Sequence, residues 1–71
     1  MKTLEEVQAE CFGDVFTLEK FMEYLDNGYF ISYDGNGYFH DGEKETDISV
    51  WDPTLTWDDV KNYPYVTWYN R

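Results

Sequence analysis

The spacing of apolar positions changes near residue 28, dividing the chain into a helical part and a sheet-forming part. Leu4, Val7 and Cys11 fall at i, i+3 and i+7, the recurrence of one helix face. Thr3 followed three residues later by Glu6 makes a capping box, and Gly13 supplies a stop, so a helix of about two turns is expected. The second helix is better marked. Phe16 precedes Thr17 as cap, Leu18, Phe21, Met22 and Leu25 make a stripe one face wide, and Asn27-Gly28 ends it. From Tyr29 the pattern is that of a sheet. Tyr29 to Tyr33 is a strand-like run, Asp34-Gly35-Asn36-Gly37 is dense turn chemistry, and Tyr38-Phe39-His40 begins the return of a hairpin. Asp41-Gly42-Glu43-Lys44 makes a second turn. Glu45 to Trp51 then alternates, with Ile48 and Val50 on one face and Asp47 and Ser49 on the other, which predicts a third strand. After the break at Pro53, Thr56 with Asp58 and Asp59 starts a short helix that can run to about Tyr63 before Pro64. Tyr65 to Tyr69 has high β propensity and adds a closing strand.

This order predicts one α+β domain over residues 1–71. Two N-terminal helices pack on a small antiparallel sheet of three to four strands, a short helix precedes the last strand, and the helices cover one face of the sheet. No repeat, linker or low-complexity tract interrupts the chain.

Charge changes the picture more than length does. Fifteen carboxylates stand against five basic side chains, giving a formal charge of -10. The chain also carries three Trp, seven Tyr and five Phe, whereas disordered acidic tails are poor in aromatics. The charge is therefore expected on a folded body. Folding at this size hides only about 60% of the surface of the unfolded chain, and Cys11 alone cannot form an intramolecular disulfide. Aromatic packing must substitute, at roughly 150 to 250 Å² per ring. No stretch approaches the ~20 apolar residues of a membrane span. MKTLEEVQAECFGD places acids where a signal peptide needs an apolar run, so a cytoplasmic location is expected. The acidic balance argues against direct binding of nucleic acid or an anionic membrane, each being like-charged.

Spacing becomes distance on the outer face of the second helix. Glu19, Glu23 and Asp26 lie at i, i+4 and i+7, so steps of about 6 Å and 4.5 Å separate them along the axis. Phosphates of one DNA strand advance about 3.4 Å per nucleotide, so the row imitates part of a backbone without matching each phosphate. Glu6 and Glu10 repeat the i, i+4 pairing. Each like-charge pair costs roughly 0.2–0.5 kcal/mol, and stability alone would favour lysine at one position. A solvated helix face accounts for any single row. Recurrence favours function: Asp34, Asp41, Glu43, Glu45 and Asp47, then Asp52, Asp58 and Asp59, continue the acids without a compensating basic segment. The expected partner-binding residues are Glu6, Glu10, Glu19, Glu23, Asp26, Asp41, Glu43, Glu45 and Asp47. Aromatics crowd the last third, and most must be core. An exposed remainder, expected at Tyr63, Tyr65 and Trp68, would suit a basic surface by filling pockets or stacking on guanidinium planes.

Other chemistries fit less well. Asp34, Asn36 and Glu45 occupy positions 1, 3 and 12 of a calcium loop, but Tyr38 stands where a ligand is needed and Phe39 where the turn needs glycine. Cys11 and His40 lack an orienting third group and are too few for a structural zinc site. Carboxylate pairs can be drawn from fifteen acids at will and carry no signal, and no glycine-rich segment precedes a helix to cradle phosphate. No enzyme, cofactor or metal is expected.

A tiny acidic α+β domain rich in Tyr and Trp, with the Glu19, Glu23, Asp26 row, the Glu6 and Glu10 pair and the Asp41 to Asp47 cluster, resembles the phage-encoded inhibitors of host defence that imitate DNA, notably anti-CRISPR proteins. The likeness is one of composition over the whole chain. It implies docking into the basic nucleic-acid channel of a host protein or CRISPR effector complex and blocking DNA by occupancy, as monomer or homodimer. The alternative from a different class is an acidic assembly domain that self-associates through surface aromatics.

Overall fold

The computed structural model describes residues 1–29 and 34–70. Among them are three helices, α1 (Leu4–Glu10), α2 (Leu18–Asp26) and α3 (Trp57–Val60), and four strands, β1 (Asp14–Thr17), β2 (Gly35–His40), β3 (Glu45–Ser49) and β4 (Tyr65–Asn70). The strands form one antiparallel sheet in the order β1-β4-β2-β3. The α+β class, with N-terminal helices on the sheet and a short helix before the last strand, is as the sequence predicts.

The helix ends form where their local chemistry requires. Thr3 Oγ1 accepts from Glu6 N–H (3.2 Å) while the Glu6 carboxylate accepts from Thr3 N–H (3.1 Å), completing the capping box. Thr17 Oγ1 caps α2 by accepting from Lys20 N–H (3.2 Å). At the other end of α2, Gly28 sits at φ 74°, where a side chain would be strained. Its N–H donates to Leu25 O, and Tyr29 N–H donates to Tyr24 O. These are the two bonds of a Schellman motif, and the usual apolar contact joins them as a stack of Tyr24 on Tyr29 with centroids 4.9 Å apart. Tyr29 is thus part of a helix stop; the remainder of the expected strand, Phe30 to Tyr33, lies outside the described residues.

The sharpest departure from expectation is at Asp34-Gly35-Asn36-Gly37. Three of these residues form strand β2, paired on β4 from Gly35↔Asn70 to His40↔Tyr65. Gly37 lies directly opposite Trp68, and a Cβ on Gly37 would stand 2.7 Å from Trp68 Cε3. The glycine makes room for an indole across the strand pair. Turn propensity yields here to packing, because a buried ring laid over a strand glycine recovers the contact area that the glycine lacks.

β4 is an interior strand, not a closing edge. Its Val66 and Trp68 join Phe39, Leu18 and Phe21 of α2 and Val60 of α3 in the larger core cluster, while Tyr65 joins Val7 of α1 and Val15 in a smaller one. Alternate residues of a strand point to opposite faces, so α1 covers one face and α2 with α3 the other. The expectation that the helices share a face is corrected. The short β1, missed because Phe16 reads as a residue before a helix cap, makes this possible: it carries the chain from one face to the other and pairs with β4 throughout. β3 ends at Ser49, short of Trp51, and α3 ends at Val60, short of Tyr63.

At roughly 0.05–0.15 kcal/mol per residue, a chain of this size has a total stability of roughly 4–11 kcal/mol. Overpacking at Gly37 is therefore visible. Gly37→Ala is expected to cost about 1–3 kcal/mol and to lower Tm by roughly 5–20 °C. In a Trp68→Leu background the added methyl should cost at least about 1 kcal/mol less. Urea denaturation of the four proteins measures the coupling, and additive costs would dissociate the glycine from the indole.

Candidate acidic interface

Each of the fifteen Asp and Glu side chains is exposed, so the charge lies on the surface and its arrangement is set by topology. The α1 side of the sheet gathers acids from distant parts of the chain. The β2–β3 turn is drawn to the start of α1 by Lys2 N–H donating to Gly42 O (2.7 Å). The Lys2 ammonium then donates to the Glu10 carboxylate (2.7 Å) and to Glu43 O (3.0 Å), and the N-terminal ammonium pairs with the Glu43 carboxylate (3.1 Å). Its hydrogen bond to Glu10, reinforced by the charges of Glu10, Glu43 and Glu6, raises the Lys2 pKa. Two neighbouring cations, Lys2 and the N-terminal ammonium, thus hold acids that are distant in sequence.

Beside them on the same face stands Glu45, with Asp47 one alternation further along β3. A single Glu45 oxygen, Oε1, accepts from Thr67 Oγ1 and from the Tyr69 hydroxyl, the latter at 2.5 Å. Burial first, and then the bond to Glu45, push the Tyr69 phenol up to about 12. Tyr38 lies against Tyr69 with centroids 6.2 Å apart. Burial, followed by the charge of Glu45, raises the Cys11 thiol. Phe12, next in the chain, is wholly exposed, and Gly13 brings the backbone flush with the Tyr69 ring, since a Cβ there would stand 2.8 Å from Tyr69 Cδ1. This face therefore combines Glu10, Glu43, Glu45 and Asp47 with accessible aromatic surface.

Not every acid is available in the same way. The Glu6 carboxylate is bound to the Thr3 backbone, which lowers its pKa first of all. Asp41 Oδ1 accepts from Glu43 N–H and Lys44 N–H, both at 2.8 Å, and these bonds hold its carboxyl below the usual range. Both remain charged and exposed, but their geometry serves a helix start and a turn. Glu19, Glu23 and Asp26 occupy the outer face of α2, on the other side of the sheet. Lys20 interrupts that row, pairing with Glu23 at 3.6 Å and lying 5.1 Å from the Tyr24 ring centroid. The nine expected binding residues thus divide, six around α1 and the β2–β3 hairpin and three on α2.

The expected aromatic contacts are corrected. Trp68 is fully buried and Tyr65 nearly so, its hydroxyl donating to Lys2 O (2.6 Å). Tyr63 is half-buried against Phe39. An interior strand covered on both faces has no solvent side through Tyr65 to Trp68, so its rings are core. Among the described residues the exposed rings are Phe12, Tyr29, Trp51 and Trp57. Tyr38 and Tyr69, absent from the expected set, are the ones beside Glu45; the alternation of Thr67 and Tyr69 along β4 was the available signal for Tyr69. Among the described residues, no group of three His, Cys, Asp or Glu is placed to hold a metal, and no helix is long and apolar enough to cross a membrane. His40 is buried, and its Nδ1 accepts from Gly42 N–H (3.0 Å).

The Tyr69–Glu45 pair predicts an alkaline response. Below the ordinary phenol value of 10.0, Tyr69 is protonated in both folded and unfolded chains and its contribution is fully present. As pH rises towards about 12 the unfolded chain ionises first, so stability is lost across that window. Tyr69→Phe should flatten the loss between these values, and absorbance titration at the phenolate band should lose its highest component. Equal slopes in both proteins would contradict the assignment. Lys2 is common to both and cancels.

Comparison with models of known families, with curated proteins and with solved structures yields no match for this chain.

Proposed function

We propose that this chain is a non-enzymatic inhibitor that imitates DNA, docking the acidic face of α1 and the β2–β3 hairpin into the basic nucleic-acid-binding groove of a host protein. A CRISPR effector complex or another defence protein in the host cytoplasm is the class of target that the resemblance implies. The observation that carries the reading is the convergence of Glu10, Glu43 and Glu45, with Asp47 one alternation along β3, on one face with Tyr38 and Tyr69. Carboxylates alone would suit solubility. Acids beside rings suit a surface of Lys and Arg, where the carboxylates pair with the heads and the rings stack on guanidinium planes or fill gaps. A net charge of -10 would steer such a partner into contact and make association sensitive to salt.

The wholly exposed Phe12 favours one competing reading, an assembly domain that pairs with itself through aromatic surface. Self-repulsion between two such acidic bodies weakens as salt rises, so that reading requires a dimer that persists or strengthens in high salt. Sedimentation at several concentrations tests it.

The leading reading is tested by release of a labelled duplex from a panel of DNA-binding effector complexes, followed by anisotropy. Displacement by the chain should weaken about tenfold or more between 50 and 200 mM salt. The variant Glu10→Gln/Glu43→Gln/Asp47→Asn, which leaves the helix and turn caps intact, should lose at least about tenfold, equivalent to about 1.4 kcal/mol. Glu19→Gln/Glu23→Gln on α2 should lose less than about threefold. Displacement indifferent to salt, or equally affected by both variants, would defeat the proposed interface.

A further inference from the structure

On the opposite side of the sheet, α2, α3 and the segment between β3 and α3 enclose a cleft of about 230 Å³. Phe21, Phe39 and Val60, all buried, are among its lining residues, together with Met22, Leu25 and Leu55. Two residues of different character complete it, Trp57, half of whose surface is exposed, and Asp52. The volume is below the roughly 300–1,000 Å³ of small-molecule sites and matches one long side chain.

We propose that this cleft receives a single arginine side chain of a basic protein segment approaching from the α2 side, with the aliphatic stem against Met22, Leu25 and Leu55 and the guanidinium between the Trp57 indole and the Asp52 carboxylate. Three observations select this occupant. Asp52 is held in place, its Oδ1 accepting from Thr54 N–H (2.9 Å) and Thr54 Oγ1 (2.7 Å), and those bonds hold its carboxyl below the usual range. A purely apolar occupant would cover that charge without answering it, which is costly, whereas a guanidinium meets it with paired donors. The exposed indole offers a flat face for the same planar cation. Finally, a second copy of this chain is disfavoured as the source by mutual repulsion at -10 each, and an anionic ligand by the same charge. The inference is independent of the proposed function, because the cleft and the acidic face lie on opposite sides of the sheet.

The cleft is tested without any partner, by titrating isotopically labelled chain with N-acetyl-arginine methylamide and following amide and indole resonances. Saturable shifts in the millimolar range are expected at Asp52, Leu55 and the Trp57 indole. The norleucine analogue, which has an apolar stem and no charge, should bind at least about fivefold more weakly, and the lysine analogue about threefold more weakly. Asp52→Asn keeps an oxygen to accept from Thr54 and removes only the charge, so it should fold normally and weaken binding about fivefold. Trp57→Ala, at an exposed position, should do the same. Shifts confined to the Glu10, Glu43 and Glu45 face, norleucine or lysine binding as tightly as arginine, or an Asp52→Asn chain that binds undiminished would each overturn the assignment. Because the acidic face and the cleft are altered by separate variants, failure of one leaves the other standing.

Discussion

The fold depends on one indole lying over one glycine. Trp68 has no exposed surface and faces Gly37 on the adjacent strand, and the register of β2 on β4 is set by that fit. A slip by one residue would turn every side chain of β4 to the other face and drive Trp68 towards α1, into the smaller cluster of Val7, Val15 and Tyr65. In a chain with no disulfide and a thin stability margin, removing such a ring would cost about 3–5 kcal/mol, a large share of what holds the fold together. β4 pairs with β1 on one side and β2 on the other, so the same strand ties the N-terminal half of the chain to the sheet.

With the core spent on aromatics, the acids are left on the surface, and they divide by what their oxygens already hold. Glu6, Asp41, Asp52 and Asp59 accept from nearby backbone or hydroxyl groups at helix starts and turns. Their charges are by-products of local structure. Glu10 and Glu43 are instead gathered by Lys2 and the N-terminal ammonium, and Glu45 by Thr67 and Tyr69. These contacts hold like charges near one another against their repulsion. Simple solubility does not require that arrangement, and it directs attention to the α1 face.

Local signals in the sequence carried a long way. The Thr3 and Thr17 caps, the Leu18 to Leu25 stripe, the Gly28 stop and the Asp41 to Lys44 turn all depend on residues within seven of one another, and each forms where local spacing places it. Failures occurred where distant residues decide. Gly35 and Gly37 look like a turn until Trp68 is laid across them. Tyr65 and Trp68 look like surface anchors until both faces of β4 are covered. For the interface, the charge and the participating residue types were legible, but the separation of the α2 row from the α1 group was not.

By itself, then, the sequence determined the class of the domain, the helix starts and the Gly28 stop, the excess of negative charge and the need for aromatic packing, because these follow from hydrogen bonds along short stretches, residue counts and the periodicity of apolar positions. Only the tertiary structure decided which rings are buried, which acids meet around Lys2 and the N-terminal ammonium and that Asp52 and Trp57 share a cleft. Those outcomes turn on strand order and register, which are set by contacts between residues far apart in the chain and leave no mark in local spacing.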